Sequence, residues 1–356
     1  MNILFITDLY PVTSGEVTTP RTLFDFVKEW QNSGHGVRVI KPNFILNSFI
    51  RQKPFYKTGW YGEVFNANYF LPFLGDVKSK LKDFYLQEFK PDKVVAHMPS
   101  GILFADKFGL PFVAGVHCSD LEVLTNPAYS VHFKSRLLQA LRRAEKISCR
   151  SFVLREKLLK LYPEFEGKCF VAPSGVDERF IVNVDKTFER GQKLKVVTCA
   201  NFKKRKNIDK VILGVKGLEN IELTVIGDGK IRPELERLDD RVKFLGRLKN
   251  DEVLEVMRGQ DVFILPSIGE TFGMVYLEAM ASGCITVCAK GEAVDGIIKN
   301  GVNGFTVEPS SADIRNFFTA LGYFEGEILN RVRKNSLATV KEYTRNTCAK
   351  SYLERL

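Results

Sequence analysis

"DVFILPSIGETFGMVYLEAMASGCITVCA", residues 261–289, passes from an apolar run through a loop and a helical stretch to a second apolar run. DVFILPS reads as a strand ending at Pro266-Ser267. Gly269 and Gly273 loosen the loop that follows. The spacing then predicts a helix from near Thr271 to Gly283, and CITVCA (284–289) predicts the next strand. Strand, helix and strand at this spacing indicate a parallel sheet with helical crossovers. Apolar runs without polar alternation place that sheet between two helical layers.

The same rhythm extends outward. KLKVVTCA (193–200), IELTVIGDG (221–229), RVKFLG (241–246) and GFTVEP (304–309) read as strands. NIDKVILGVKGL (207–218), IRPELERLDD (231–240), DEVLEVMRG (251–259) and a stretch near 292–300 read as helices. In the first half NILFIT (2–7), VRVIKP (37–42), KVVAHMP (93–99) and FVAGVHC (112–118) are strand-like, while PRTLFDFVKEWQNSG (20–34) and SGILFADKFG (100–109) are helical. The aromatic-rich stretch 43–82 reads as irregular. A pattern that starts twice predicts an α/β protein of two Rossmann-like, doubly wound domains facing a central cleft. The expected division is 1–178, a linker at 179–193 drawn from polar ERFIVNVDKTFERGQKLK, 194–338, and a C-terminal helix, 339–356, returning to the first domain.

Composition bounds the function. The 356 residues are 45% hydrophobic and 26% charged, which suits a folded two-domain chain rather than a disordered one. Seven cysteines without a Cys-x-x-Cys pair, and only four histidines, point to buried thiols rather than to a metal or disulfide framework. MNILFITDLYP reads as a buried strand, not a signal peptide, and no apolar run reaches the roughly 18 residues of a membrane span. A cytoplasmic protein is expected. The formal charge of +10 favours anionic partners. The run 134–160 holds nine basic residues and two acidic ones, either as a solvated helix face or as a contact with an anionic membrane surface. No nucleic-acid reading motif accompanies the charge, so nucleic acid is not an expected partner.

In doubly wound folds ligands bind at the carboxyl ends of the strands, so the residues just after each strand carry the functional signal. NFKKRKN puts Lys203, Lys204, Arg205 and Lys206 there, ahead of a helix. That suits either a phosphate or a plain solvated charge run. GDGK places Gly227 where a ligand can approach the backbone. No Walker loop or Gly-x-Gly-x-x-Gly fingerprint occurs. Glu270 and Glu278 flank the start of one helix, where carboxylates suit neighbouring sugar hydroxyls. His117, at the end of FVAGVHC, is a core or capping group or else a substrate contact, with Asp120 as a further polar wall. Gly15, in the first post-strand loop, is a candidate neighbour of a bound anion.

These motifs resemble the GT-B glycosyltransferases, and in particular glycosyltransferase family 4. The resemblance rests on 261–309, with its Glu-x7-Glu pair Glu270 and Glu278, on VIGDG, on the segment around Lys206, and more loosely on NILFITDLYP, VHCSD and FVAPSGVD (170–177). It implies a retaining transferase that moves a hexose or N-acetylhexosamine from a nucleotide-sugar, a UDP-sugar, to a glycan or lipid-linked acceptor in cell-surface polysaccharide or glycolipid synthesis. It implies no cofactor and no metal. Glu278 would bind the ribose, Glu270 the donor sugar, and Lys206 the leaving diphosphate. Phe272, Gly273, Met274 and Val275 would offer amides, His117 would contact the sugar, and Gly15 and Gly227 would border the donor. The family's usual Gly-Arg pair reads Ala200-Asn201 here, so Asn201 stands in that place and the missing charge comes from Arg205, Lys203 or Lys204, or is absent. A peripheral position on the inner membrane face is the matching expectation. The rival on the same architecture is a nucleotide-sugar epimerase or hydrolase, with a basic nucleic-acid binder a distant third.

Overall fold

The computed structural model describes residues 1–11, 21–44, 55–58, 63–69, 86, 88–129, 131–181, 187–189 and 191–356. The chain forms two compact units: Met1–Arg150 with Leu154–Pro173 and Arg345–Leu356, and Ser151–Val153 with Ser174–Thr344.

The first unit is built on β1 (Asn2–Ile6), β2 (Gly36–Phe44), β3 (Phe55–Thr58), β4 (Glu63–Tyr69), β5 (Lys93–His97), β6 (Val113–Val116), β7 (Lys146–Cys149) and β8 (Cys169–Val171). They lie in the order β3-β4-β2-β1-β5-β6-β7-β8, all parallel except the β3–β4 pair. Two strands thus form where 43–82 was expected to be irregular. The alternation of Phe65, Ala67 and Tyr69 with Asn66 and Asn68 is the period-two signal for β4.

The second unit carries β9 (Leu194–Cys199), β10 (Ile221–Ile226), β11 (Lys243–Gly246), β12 (Val262–Leu265), β13 (Ile285–Ala289) and β14 (Phe305–Val307), in the all-parallel order β11-β10-β9-β12-β13-β14. Neighbouring residues serve opposite faces. Val197, Phe263 and Leu265 join one apolar cluster, while Val196, Val262 and Ile264 join the other. This two-sided burial is what the unbroken apolar runs encode. In both sheets the chain first runs outward one way and then the other, so a switch point lies between β1 and β5 and another between β9 and β12.

No helix forms at 292–300. Gly291, Gly296 and Gly301 all take positive φ, and Asn303 closes the turns by accepting from the Lys299 amide and donating to the Ile297 carbonyl. The basic run 134–160 is also divided. Helices Val131–Arg143 and Phe152–Leu161 are separated by β7, and Arg150 is fully buried rather than part of a charged face. All seven cysteines are free thiols. Among the described residues no helix is long and apolar enough to cross a membrane.

The last helix, Arg345–Leu353, packs within the first unit against the helix Thr22–Asn32. Trp30 is fully buried there. Its indole N–H donates to the Ala349 carbonyl at 2.9 Å, and its ring meets Phe5 and Tyr352 edge-on. Trp30→Ala is expected to cost about 3–5 kcal/mol by emptying this site. Denaturant unfolding monitored by circular dichroism checks it, and a change below about 1 kcal/mol would show that the helix is held elsewhere.

Candidate functional site in the second unit

At the β9/β12 switch point two loops meet. The loop after β9 turns through the short 3-10 segment Lys204–Lys206 into the helix Ile208–Val215, which starts at Asn207 with φ +53. The loop after β12 runs through Ser267–Gly273 into the helix Met274–Ala281. The Ile268 amide donates to the Arg205 carbonyl at 2.9 Å, and the Asn207 side chain donates to the Pro266 carbonyl at 2.8 Å. Across this seam Lys206 Nζ donates to the Glu270 carboxylate, which also accepts from the Ser267 hydroxyl at 3.2 Å. Burial pushes the Glu270 carboxyl up. The Lys206 and Arg205 cations and the Ser267 hydroxyl outweigh that and hold it below its ordinary value. Glu270 is therefore a carboxylate at neutral pH, already engaged by a cation. It is a poor general acid and a hindered nucleophile.

The helix begins three residues later than the expected Thr271. Gly273 takes φ +86, and a side chain there would meet the Tyr276 ring at 2.6 Å, so the chain turns sharply before it coils. Glu278 thus lies just over one turn into the helix. Tyr276, fully buried, donates from its hydroxyl to the Leu265 carbonyl at 2.7 Å and anchors the helix to the end of β12.

Gly227, with φ +127, closes the other side. A Cβ there would stand 1.9 Å from the Ala200 carbonyl oxygen, so the GDG loop lies directly on the loop after β9. The Gly227 amide donates to the Gly246 carbonyl at 2.8 Å and joins the end of β11 to the group.

These loops enclose a cavity of about 340 Å³. Asn201, Lys206, Gly227, Glu270, Gly273, Met274, Val275 and Glu278 all line it. Arg247 and Asn250 line it too and were missed in the sequence. Both follow β11, so the carboxyl-end rule applied to RVKFLG would have found them. Phe272 faces away into the apolar core. Arg205 turns its guanidinium to the Gly269 carbonyl at 3.2 Å and to the Glu270 carboxylate at 3.5 Å. Gly15 lies outside the described residues.

His117 belongs to the first unit, at the end of β6, as N-cap of the helix Cys118–Thr125. Its backbone N–H donates to Asp120 Oδ2 at 2.8 Å. Burial, aided by the Arg150 charge, brings the His117 imidazole down from 6.5 to about 3. Asp120 is pushed well up by its own burial, despite the His117 amide.

Residues 181–316 match the family model for glycosyl transferases group 1, and residues 19–180 match that for Glycosyltransferase Family 4. An uncharacterized glycosyltransferase of Methanocaldococcus jannaschii is 26% identical over 216 residues, covering 59% of this chain and 58% of that protein. The alpha-monoglucosyldiacylglycerol synthase of Acholeplasma laidlawii is 26% identical over 217 residues, covering 55% and 54%. The chain thus spans a little over half the length of these curated relatives. The Anabaena protein HepE, solved in complex with UDP, superposes with a TM-score of 0.74 at 19% identity over 99% of both chains. Sucrose-phosphate synthase from Thermosynechococcus elongatus gives 0.71 at 14% identity, over 99% of this chain and 97% of its own. At such identities the likeness is one of fold.

Two outcomes follow from this geometry. Gly227→Ala should lower the unfolding free energy by more than about 2 kcal/mol, because a side chain meets backbone at a positive φ; denaturant titration measures it. For His117 the unfolded chain takes up a proton near 6.5 and the folded chain only near 3, so its contribution makes the fold less stable as pH falls through that window. His117→Gln should flatten the slope of stability against pH there, and an unchanged slope would contradict the burial of a neutral ring.

Proposed function

We propose a sugar-transfer reaction for this chain, on the premise that it belongs to the GT-B glycosyltransferases. The donor is a nucleotide-sugar, a UDP-sugar carrying a hexose or N-acetylhexosamine. The acceptor is a glycan or a lipid-linked sugar of a cell-surface polysaccharide or glycolipid. The observation that carries this reading is the single cavity at the β9/β12 switch point lined by Lys206, Glu270 and Glu278 together.

The chemistry of that cavity suits the donor. Glu278 accepts the paired hydroxyls of a ribose. Lys206 has three N–H donors and gives one to Glu270, leaving others for the diphosphate. The amides at the start of the helix Met274–Ala281 add positive potential for the same anion. Arg247 lines the cavity and is the better source of the missing arginine charge, since Arg205 is committed to the loop after β12. Preorganised cations and amides act on the charge that grows on the leaving group.

The transfer proceeds with retention. The bond from the sugar's anomeric carbon to the diphosphate oxygen breaks, and the acceptor oxygen bonds to that carbon on the same face. The acceptor's proton passes to the departing phosphate oxygen. Glu270, paired with Lys206, holds the sugar and does not attack. His117, neutral and acceptor-capable, contacts a sugar hydroxyl. The reaction needs no cofactor or metal in this scheme. The basic residues of the two helices Val131–Arg143 and Phe152–Leu161 carry the chain to the anionic inner face of the membrane, and its lipid-linked acceptor is met there.

Thermal stabilisation by a panel of UDP-, GDP- and ADP-sugars, followed by mass-spectrometric product detection, tests the reading. A shift with a UDP-sugar is expected, and silence across the panel at millimolar concentration would sink it. Product formed from donor alone would favour an epimerase or hydrolase instead. Lys206→Ala should lose about 10²-fold or more in turnover, while Glu278→Ala should chiefly weaken nucleotide binding.

A further inference from the structure

Behind His117 the first unit holds a buried line of polar groups drawn from four separate elements. His117 Nε2 lies 3.0 Å from His97 Nδ1, at the end of β5. His97 Nε2 lies 2.9 Å from the Tyr352 hydroxyl, on the last helix. That hydroxyl lies 2.7 Å from Ser148 Oγ on β7, and Ser148 Oγ reaches the Ala114 carbonyl of β6 at 3.4 Å. His97 and Ser148 are wholly buried, and Tyr352 and His117 nearly so.

Each link needs one proton and one lone pair, so the line has a direction. The Ser148 proton goes to the Ala114 carbonyl, which can only accept. Ser148 then accepts from Tyr352, Tyr352 accepts from His97 Nε2–H, and bare His97 Nδ1 accepts from His117 Nε2–H. In this direction every proton has an acceptor. The opposite direction puts a proton on His117 Nδ1, for which no acceptor stands among the described residues. His97 must be neutral for its Nδ1 to accept, and His117 must be neutral for its own Nδ1 to be bare. Burial first, and the fully buried Arg150 charge with it, keep them so. Burial pushes the Tyr352 hydroxyl up, so it stays protonated.

We propose that Tyr352, acting through His97 and supported by Ser148, is a positioning residue that locks His117 in the Nε2–H tautomer, leaving Nδ1 as a hydrogen-bond acceptor for a ligand hydroxyl. The role given to Nδ1 rests on His117 being a sugar contact, as under the proposed function; the lock itself does not. The last helix thereby sets the chemical character of a side chain more than two hundred residues earlier in the chain. A histidine held this way takes a hydrogen bond from a hydroxyl and cannot donate one from that nitrogen. Its partner is therefore a hydrogen-bond donor, such as a hydroxyl, rather than a carbonyl or phosphate oxygen.

The test uses the full chain labelled with 15N-histidine, whose four histidines give few ring signals to assign. In the wild type His117 should show a protonated Nε2 and a bare Nδ1. Tyr352→Phe removes one hydroxyl and keeps the ring, and His117 should then populate both tautomers. With a donor that the wild type turns over, kcat should fall about 10- to 100-fold, by analogy with the loss of an outer partner that orients a metal-bound histidine, with the donor KM within about twofold. Ser148→Ala should move both readouts the same way by less. A proton on Nδ1 in the wild type, or an unchanged His117 tautomer in Tyr352→Phe, overturns the proposal. If Tyr352→Phe does not fold, Ser148→Ala decides, and an unmoved tautomer there overturns it. Should no donor be turned over, the proposed reaction fails while the tautomer measurement still judges the lock.

Discussion

The contact of Lys206 with Glu270 is the constraint on which the candidate site depends. It joins the loops that leave β9 and β12, the two strands between which the second sheet changes direction. A cation and a carboxylate that are both mostly shielded from water hold each other more firmly than an exposed pair would. Around it the Ile268 amide, the Asn207 side chain and the Ser267 hydroxyl fix the same seam. The cost of burying each charge is offset only while the other stays in place. The cavity wall is therefore stiff before any ligand arrives.

That stiffness shapes the chemistry. A carboxylate already neutralised by an ammonium is suited to accept hydrogen bonds and ill suited to donate a proton. Lys206 has three N–H donors and gives one to Glu270, so the pairing does not exhaust its hydrogen-bonding capacity. The glycines around the seam serve close approach. Gly227 lies against the Ala200 carbonyl, and Gly273 lets the next helix start abruptly over the Tyr276 ring. At each, a side chain would collide with neighbouring protein atoms, so the loops that line the cavity can pack this closely only with glycine there.

The first unit meets a related demand by other means. Its polar groups at the strand ends are buried, and a buried polar group must be paired or it costs free energy. The line from His117 to Ser148 satisfies that need with donors and acceptors from β5, β6, β7 and the last helix. Trp30 anchors the same helix through Ala349. Packing and proton direction are thus secured by one element.

Much was legible before any fold was known. Unbroken apolar runs followed by helical spacing encode parallel strands between helical layers, and that alone sends ligands to the strand ends. Lys206, Gly227 and Glu270 could be chosen on this rule because each lies in the loop that leaves a strand, and Glu278 because it lies early in the helix that follows such a loop. Arg247 and Asn250 obey the same rule and were passed over, since RLKN resembles any polar loop. The misread helix at 292–300 shows the limit of local signals: spacing was favourable, yet glycines at positive φ and the Asn303 side chain close turns there instead. What only the tertiary structure decided is how distant groups pair. No local pattern says that Phe272 turns into the core while Met274 and Val275 line the cavity, that Arg205 serves the backbone of another loop, or that Tyr352 meets His97. Period and composition are properties of neighbours in the chain. A hydrogen bond between residues far apart in sequence depends on where the folded sheets bring them.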